Sequence, residues 1–362
     1  MCKCFLLISE SLHMGKGGKS LLMKAIAFYL PQFHEIPEND LWWGKGFTEW
    51  TNVKKAKPRF LGHYQPRAPL GNYYYNLLNL DVHKWQINLA QQYGLDGFCY
   101  YHYWFKGKKL LEKPVELRYQ CNEIEFPYCL CWANESWTRS WDGKDQEVLI
   151  RQEYGDKSDW KEHFNYLLPF FKDENYLTVK DKPIFVIYRP ASIPNLNEML
   201  SLWNKWAQSE GLLGIHFVEM LTIFEDKSDF LFDAAIEFEP MYTLKKLIGN
   251  TNSLQQEKKD FHLSYDFVWK RILSRQIKER ENIYKGAFID WDNSPRKKES
   301  ALILKGATPD KFKKYLLQHS KDTDFLFINA WNEWAEGTYL EPDSKYEYKY
   351  LEALMDIKKS HF

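Results

Sequence analysis

Short apolar segments alternate with longer segments of helical periodicity from Lys24 to the end of the chain. Eight of the apolar segments have strand length and are almost continuously apolar, as expected for strands covered on both faces. They span residues 25–30, 97–103, 128–132, 184–188, 215–220, 234–238, 286–291 and 325–330. Helical periodicity covers residues 81–93, 113–124, 160–171, 195–209, 265–280, 309–318 and 342–359.

This alternation predicts parallel strands joined by helical crossovers, and eight strands predict a closed (β/α)8 barrel in the α/β class. An open α/β sheet with some strands misassigned is the alternative. We expect one catalytic domain over residues 23–362, with a long aromatic-rich loop after the first strand, from residue 31 to about 80. Residues 1–22 are expected to be a disordered or misassigned extension, with Met23 as an alternative start.

Composition narrows the classes of function. Lys plus Arg and Asp plus Glu both number 49, and the chain has no long basic run, which argues against binding of nucleic-acid phosphates. The chain has 15 Trp, 23 Tyr and 24 Phe. Many of these rings stand beside polar residues, a combination suited to stacking on sugar faces while hydrogen-bonding hydroxyl groups. We therefore expect an oligosaccharide or polysaccharide substrate.

The six cysteines do not form a disulfide pattern. Cys99, Cys129 and Cys131 fall in apolar strand segments and Cys121 in a helical one, whereas Cys2 and Cys4 precede the predicted domain. Buried free thiols favour a reducing compartment. The cytoplasm is favoured, with the periplasm or export left open. No apolar run reaches the roughly 18 to 20 residues of a membrane helix. No cofactor is predicted, and without HxH or HExxH spacing no metal site is predicted either.

Polar and aromatic residues follow the predicted strands, where a (β/α)8 barrel places its catalytic and binding groups. The predicted substrate-binding residues are Tyr29, Gln32, His34, Trp43, Glu49, Trp50, His102, Trp104, Trp132, Asn134, Glu135, Trp137, Arg139, Tyr188, Glu237, Glu239, Asp290, Trp291 and Asn332. In the long loop, Trp42, Trp43 and Trp50 are expected to be ring platforms over the cleft.

The last strand is followed by the strongest candidates for catalysis. Glu333 lies between Trp331 and Trp334 in the sequence, Glu336 follows Trp334, and Gly337 ends the segment. Carboxylates three residues apart share a face if the chain turns helically there, which suits a pair acting on one glycosidic bond. Their proximity should raise the pKa of one member, so that it can act as the acid.

Two other readings of these carboxylates remain open. Glu333 and Glu336 could instead cap the barrel mouth, bonded to backbone amides or to Arg139 or Arg189. Glu135 with Glu333 is a competing catalytic pair, because an Asn-Glu dipeptide carries the acid/base in many barrel glycosidases. We keep Glu135 as a supporting residue, since it follows the third predicted strand.

Four motifs resemble the WbsX-type proteins, which are often encoded with bacterial polysaccharide and O-antigen genes and are labelled glycosyltransferases. They are Ala27-Phe-Tyr-Leu-Pro-Gln-Phe-His34, Trp43-Gly-Lys-Gly-Phe-Thr-Glu-Trp50, Trp132-Ala-Asn-Glu-Ser-Trp137 and Asn329-Ala-Trp-Asn-Glu-Trp-Ala-Glu-Gly337. The resemblance runs from about Met23 to the C-terminus. WbsX-type proteins are similar in turn to glycoside hydrolase family 99, the endo-α-mannosidases and endo-α-mannanases, through Asn332-Glu-Trp-Ala-Glu-Gly-Thr338 and the barrel.

The resemblance implies a retaining glycoside hydrolase without a protein nucleophile, acting on a mannose-containing or bacterial surface polysaccharide. Glu333 would remove the proton from the sugar 2-hydroxyl to give a 1,2-anhydro sugar, and Glu336 would protonate the leaving oxygen. The alternative is a glycosyltransferase or processing factor in lipopolysaccharide or capsule biosynthesis. Against it, the chain has no Gly-rich strand-to-helix loop, and Asp290-Trp-Asp292 lies at a strand end. A non-catalytic carbohydrate-binding protein is the third reading.

Overall fold

The computed structural model describes residues 23–139, 144–222, 230–248, 259–275, 282–297 and 299–360. Residues 1–22, predicted to be an extension, lie outside the described residues, together with Cys2 and Cys4. Eight parallel strands form the centre of the fold. They are β1 (Lys24–Tyr29), β2 (Gly97–Phe105), β3 (Tyr128–Trp132), β4 (Lys182–Ile187), β5 (His216–Leu221), β6 (Ala234–Glu237), β7 (Ile283–Phe288) and β8 (Phe325–Asn329).

The sheet closes on itself. Each strand pairs with the next in sequence, and β1 pairs with both β2 and β8, with Ile26 opposite Gly97 on one side and Phe327 on the other. The predicted (β/α)8 barrel is therefore confirmed, and the open-sheet alternative is wrong. The continuously apolar strand segments arise because one face of each strand packs in the barrel interior and the other against helices.

Helices surround the barrel. They are α1 (Pro37–Trp43), α2 (Glu49–Lys55), α3 (Leu80–Gln92), α4 (Lys113–Gln120), α5 (Lys157–Phe171), α6 (Leu196–Ser209), α7 (Met241–Ile248), α8 (Tyr265–Ser274), α9 (Pro309–His319) and α10 (Lys349–Ser360). Short strands outside the barrel are Lys108–Leu110, Trp137–Arg139, Lys144–Ile150, Thr178–Val179, Phe261–Ser264, Leu302–Lys305, Asn332–Glu333 and Thr338–Tyr339. None of the described helices is both long and apolar enough to cross a membrane.

Local side-chain chemistry sets several helix boundaries. Helix α5 begins at a capping box, in which Asp156 accepts from the backbone N–H of Ser158 at 2.8 Å. The last helix begins later than the predicted residue 342. Asp343 Oδ1 accepts from the N–H groups of Lys345 and Tyr346, at 3.0 and 2.6 Å, and holds this stretch in a turn. These caps decide where each loop leaves the barrel.

Barrel strands alternate between an inner and an outer face, and β2 shows which residues each face takes. Its register aligns Cys99 with Cys129 and Tyr101 with Cys131, and these thiols are free and buried, as predicted. The residues of β2 that alternate with Cys99 and Tyr101 face the surrounding helices. His102, for example, contacts His163 of α5, with 2.8 Å between the two Nε2 atoms. The pleat therefore determines which aromatic residues of β2 can reach a cavity at the barrel mouth.

Gly286 marks the closest backbone approach between β6 and β7. A Cβ atom at this position would lie 1.6 Å from the carbonyl oxygen of Glu237. We expect Gly286→Ala to lower the free energy of unfolding by about 3 kcal/mol, because two backbones must move apart. Chemical denaturation measures the effect. Gly97→Ala is the matched control, since its Cβ would approach the Pro127 carbonyl oxygen only to 2.8 Å. Equal losses in the two variants would contradict the prediction.

Candidate active site

A cavity of about 840 Å³ lies at the carboxyl ends of the barrel strands. Its wall combines aromatic rings, amides and charged groups contributed by the loops after most strands. The lining residues are Leu30, Gln32, Trp43, Tyr101, Tyr103, Ala133, Asn134, Glu135, Ser136, Trp137, Thr138, Leu149, Gln152, Tyr154, Tyr188, Arg189, Ser192, Phe238, Met241, Lys245, Trp291, Asn293, Arg296, Glu333 and Glu336. This volume lies within the range of roughly 300 to 1,000 Å³ that is usual for ligand-binding pockets.

One guanidinium group gathers three carboxylates at the floor of this cavity. Arg296, from the loop after β7, donates from Nη1 to Glu336 at 2.7 Å. Its Nη2 donates to Glu333 at 2.9 Å and to Glu49 at 3.0 Å. Glu49, at the start of α2, also accepts from the N–H of Ala335 at 2.9 Å. The loops after β1, β7 and β8 are thus joined at one charged centre.

The chain between β8 and α10 is built to present this carboxylate pair. The side chain of Asn332 accepts from Leu30 N at 2.7 Å and donates to Leu30 O at 3.0 Å, which ties the loop to the end of β1. A 3-10 turn at Trp334–Glu336 then ends at Gly337, whose φ of 68° is in the left-handed region. A Cβ there would lie 2.9 Å from Arg67 Cζ, so the close approach and the turn both require glycine.

A buried hydrogen-bond network supports the same loop from beneath. Glu341 accepts from Trp334 Nε1 at 2.6 Å, from the Tyr75 hydroxyl at 2.8 Å and from Gln86 Nε2 at 2.7 Å. Burial raises the pKa of Glu341 to about 7. These bonds fix the indole of Trp334, which lies between the two carboxylates in sequence, and so restrict the positions that Glu333 and Glu336 can adopt.

The carboxylates of Glu333 and Glu336 differ in exposure, and the pKa of each is raised. The side chain of Glu333 is 7% exposed and that of Glu336 is 22% exposed. Burial raises the pKa of Glu333 well above 4.5, the Arg296 guanidinium opposes the shift, and the charges of Glu336 and Glu49 add to it. Burial also raises the pKa of Glu336, again against Arg296. Lys297 also opposes the shift of Glu336, but burial outweighs both cations, so the pair retains a proton to higher pH than isolated glutamates.

This raised pKa predicts a pH-dependent gain in stability for Glu333→Gln. A carboxyl group whose folded pKa exceeds its unfolded value stabilises the fold at low pH, and this contribution is lost as pH rises from about 4.5 through the folded pKa. Gln keeps the shape without titrating. The melting temperature of the variant should therefore rise relative to wild type as pH increases from 4 to 8. A difference that stays constant over this range would contradict the raised pKa.

Nine of the predicted site residues line the cavity. They are Gln32, Trp43, Asn134, Glu135, Trp137, Tyr188, Trp291, Glu333 and Glu336. Glu49 lies just behind them, fully buried and bonded to Arg296. The alternative partners considered for Glu333 and Glu336, Arg139 and Arg189, instead bond to Glu147 at 3.1 Å and to Glu135 at 2.5 Å.

The other predicted residues are not on the cavity wall. His102, Trp104 and Trp132 face the helices, where Trp104 stacks on His163 with 4.7 Å between ring centroids. Burial lowers the pKa of His102 to about 3, so this imidazole is neutral at physiological pH. The pleat explains their position, because they alternate with the inner-facing residues of β2 and β3.

Internal hydrogen bonds and ion pairs account for the remaining polar candidates. The Tyr29 hydroxyl donates to Gln86, the Trp50 indole to Tyr75 O, and His34 Nδ1 lies 3.1 Å from Pro31 O. The carboxylates among them have arginine partners. Glu237 and Glu239 both pair with Arg275 at 2.8 Å, Asp290 pairs with Arg67 at 2.8 Å, and Asn332 ties the loop after β8 to β1 as described above.

The list of predicted site residues omits several residues that line the cavity, above all Arg296, Tyr101, Tyr103 and Lys245. Period-two alternation could have found the two tyrosines, because they share the inner face of β2 with Cys99. Burial raises the pKa of both hydroxyls, which stay protonated and can donate hydrogen bonds. Arg296 stands in a basic run that resembles a solvated surface, so no local pattern distinguished it.

Fold and site together define a (β/α)8-barrel protein with a carboxylate pair held on an arginine at the floor of an aromatic-walled cavity. Within this class, the chain belongs to the WbsX family. The sequence model described as "Glycosyltransferase WbsX" matches residues 25–354.

Curated relatives agree with the family assignment. "Uncharacterized protein WxcX" from two strains of Xanthomonas campestris pv. campestris is 41% identical to this chain over 342 residues. The alignment covers 91% of this chain and 48% of the relative. The chain therefore spans about half the length of the curated relatives that it matches.

Solved structures share the barrel. A "Glycoside hydrolase-like protein" superposes with a TM-score of 0.59 at 11% identity, covering 97% of both chains. The GH99 endo-alpha-mannosidase from Bacteroides thetaiotaomicron superposes with a TM-score of 0.52 at 13% identity, covering 93% of this chain and 96% of that chain. At these identities the similarity establishes the fold.

Proposed function

We propose that this chain is a retaining glycoside hydrolase that acts on a mannose-containing or bacterial surface polysaccharide. The observation that carries the proposal is the pair of raised-pKa carboxylates, Glu333 and Glu336, held by Arg296 at the floor of the cavity. A glycosidase needs one protonated and one ionised carboxyl group beside the same bond. Burial, opposed only in part by the Arg296 charge, favours this half-protonated state of the pair.

The walls of the cavity support a sugar substrate. Trp43, Trp137 and Trp291 supply ring surfaces, and the amide of Gln32 supplies both a donor and an acceptor. Stacked rings beside amides are the usual means of binding pyranose faces and their hydroxyl groups. The hydroxyls of Tyr101 and Tyr103 stay protonated near the carboxylates, where they can donate to sugar oxygens.

In the proposed reaction, the substrate 2-hydroxyl displaces the leaving group from C1. Glu333 takes the proton from the 2-hydroxyl as O2 attacks C1, while Glu336 gives its proton to the departing glycosidic oxygen. The product of this step is a 1,2-anhydro sugar and a free alcohol. Water then opens the anhydro ring at C1, Glu336 takes the water proton, and Glu333 returns its proton to O2. Two inversions at C1 give net retention.

Arg296 is the positioning residue of this scheme. It fixes Glu333 and Glu336 on adjacent guanidinium nitrogens, so the two carboxylates stay side by side in the absence of substrate. Its charge also limits how far burial raises either pKa. The base role of Glu333 requires its ionised form, which the Arg296 charge favours against the effect of burial.

The comparisons support two candidate activities on a glycan. The endo-alpha-mannosidase with the same fold supports an α-mannoside, whereas the name of the family supports sugar transfer in polysaccharide assembly. Both place a glycan in the cavity. We favour hydrolysis because the carboxylate pair suits it, and the transferase is the second candidate because of the family name alone.

Product analysis separates the two functions. Purified protein is incubated with α-mannans and bacterial surface polysaccharides, and ¹H NMR follows the anomeric signals of the first product. Hydrolysis with retention is the expected result. A parallel reaction contains a nucleotide-activated sugar and an acceptor glycan. Transfer from the nucleotide donor, without release of reducing sugar from any glycan, would overturn the hydrolase and establish the transferase.

A further inference from the structure

The wall opposite the carboxylate pair carries its own charged group. Arg189 follows β4, which lies across the closed eight-stranded barrel from β8, the strand that precedes Glu333. Arg189 and Lys245, which is in α7, both line the cavity. They stand apart from the centre at Arg296, whose guanidinium bonds to the three glutamates described above. This second group has no role in the proposed cleavage.

Arg189 is held firmly in place. Its backbone N–H donates to Asn134 Oδ1 at 2.8 Å, and the Asn134 amide donates back to Arg189 O at 2.9 Å. The guanidinium donates from Nε to Glu135 at 2.5 Å and from Nη1 to the hydroxyl of Thr222. It also lies over the ring of Tyr188, 4.4 Å from the centroid. Such bonding presents a cation in a fixed orientation on the cavity wall.

Lys245 has no such partner. Among the described residues, no hydrogen bond or ion pair of its ammonium group is found, although the side chain is half-buried on the cavity wall. Burial lowers its pKa, and so does the charge of Arg189, while Glu135 opposes both. Glu135 is already bonded to Arg189, and its side chain is 48% exposed. Within the part of the chain that the structure describes, two cations therefore face one carboxylate, which leaves one positive charge uncompensated there.

A lysine in this position is costly for the fold alone. Partial burial beside a second cation disfavours the charged ammonium, and a lysine side chain is long enough to reach solvent instead. An oxyanion on the bound glycan would compensate the charge. It would lie between Lys245 and Arg189, where it could displace or share the hydrogen bonds of Glu135.

We propose that Lys245 and Arg189 form an anion subsite, so that the substrate of this cavity is an acidic glycan. The proposal rests on the proposed function and names its substrate class. The anionic group would belong to the part of the glycan that lies against the wall formed after β4 and β6. Either a uronate carboxylate or a sugar phosphate supplies the required oxyanion.

Calorimetric binding to matched ligands tests the subsite without requiring turnover. The first pair is a mannuronate tetrasaccharide and the mannose tetrasaccharide obtained by reduction of its carboxyl groups. The second pair is mannose 6-phosphate and mannose. Wild type should bind the anionic member of at least one pair roughly tenfold more tightly, since charge-assisted hydrogen bonds exceed neutral ones. The pair that shows the preference identifies the carboxylate or the phosphate as the ligand.

Three variants assign the preference to this site. Lys245→Met should abolish it and Lys245→Arg should restore most of it. Lys246→Met is the control, because it removes the same charge from the next residue of α7, which is exposed and off the cavity wall. Glu135→Gln should strengthen binding of the anionic ligand, because Arg189 loses its competing carboxylate. This last variant keeps the test valid if Lys245→Met fails to fold.

Equal binding of charged and neutral ligands in both pairs would overturn the anion subsite. So would equal effects of Lys245→Met and Lys246→Met. Failure of this inference is distinct from failure of the proposed function. Hydrolysis of neutral glycans without any preference for acidic ones would leave the hydrolase intact, whereas selective binding without hydrolysis would leave the subsite intact.

Discussion

Glu336→Gln is expected to slow cleavage of a natural glycan by about 10²- to 10⁴-fold while largely sparing the first step, release of the phenol, on substrates with an activated aryl leaving group. Glu336 is the proposed acid, and general acid catalysis contributes this much when the leaving oxygen must be protonated. The leaving group of a dinitrophenyl α-glycoside departs as a stable phenolate, so the glycosidic oxygen needs no proton. The steady-state rate on the natural glycan and the initial burst of phenol from the aryl glycoside measure the difference, because Glu336 is still needed as the base of the second step.

Glu333→Gln is the matched control for this experiment. The base that removes the 2-hydroxyl proton is needed whatever group leaves, so this variant should lose activity on both substrates alike. Glu333 and Glu336 lie three positions apart in one turn. Glutamine at either position still offers Arg296 a hydrogen-bond acceptor. Identical profiles for the two variants would contradict the separate roles of acid and base.

Arg296→Met is expected to have the largest effect on stability, lowering the free energy of unfolding by about 3 to 5 kcal/mol. Removing one partner of a buried ion pair leaves the other without compensation. Here three carboxylates would remain, one of them the fully buried Glu49. Arg296→Lys should lie in between, because an ammonium keeps the charge but not the fork that spans all three. Urea denaturation at pH 8 measures the loss.

A double variant identifies the cause of this loss. If repulsion among the carboxylates destabilises Arg296→Met, then adding Glu49→Gln should recover part of the loss, and the two changes should not be additive. Lys205→Met, an exposed change of equal charge in α6, should leave stability within about 0.5 kcal/mol of wild type. A loss in Arg296→Met no larger than in this control would contradict the charged floor of the cavity.

The barrel could be predicted because its strands are buried on both faces. A parallel strand such as β8 is apolar throughout, so its position is visible without knowledge of its partners. Boundaries were less accurate where a polar residue belongs to a strand. Strand β7 begins at Ile283, three residues before the predicted start at residue 286. The strand can include Lys285 because its ammonium group extends away from the strand and donates to Lys321 O at 2.5 Å.

The site could be predicted in part, for a different physical reason at each position. Glu333 and Glu336 were found because carboxylates among tryptophans are unusual in a buried segment. His102 and Trp104 were chosen for their residue type, yet the pleat turns them towards α5 and brings Tyr101 and Tyr103 to the cavity. Arg296 could not be found, because its pairing depends on three loops that meet only after folding.

The positions of the aromatic residues in the long loop after β1 were also predicted only in part. Ring platforms were expected from Trp42, Trp43 and Trp50. Trp43 lines the cavity, and Trp42 packs edge-on against Trp137 at its rim, with 5.8 Å between ring centroids. Trp50 is buried instead, because its indole donates to Tyr75 O at 2.9 Å. Hydrophobic character alone does not distinguish an aromatic residue that contacts a ligand from one that anchors the loop.

The central claim is that Glu333 and Glu336 cleave a glycosidic bond. The most direct measurement is the release of reducing sugar from α-mannosides and bacterial surface polysaccharides by wild type, Glu333→Gln and Glu336→Gln in parallel, with folding checked by circular dichroism. Wild type is expected to release reducing sugar from the natural glycan, and both folded variants are expected to lose this release. Release that survives both substitutions, or sugar transfer from a nucleotide donor that survives them, would contradict the claim.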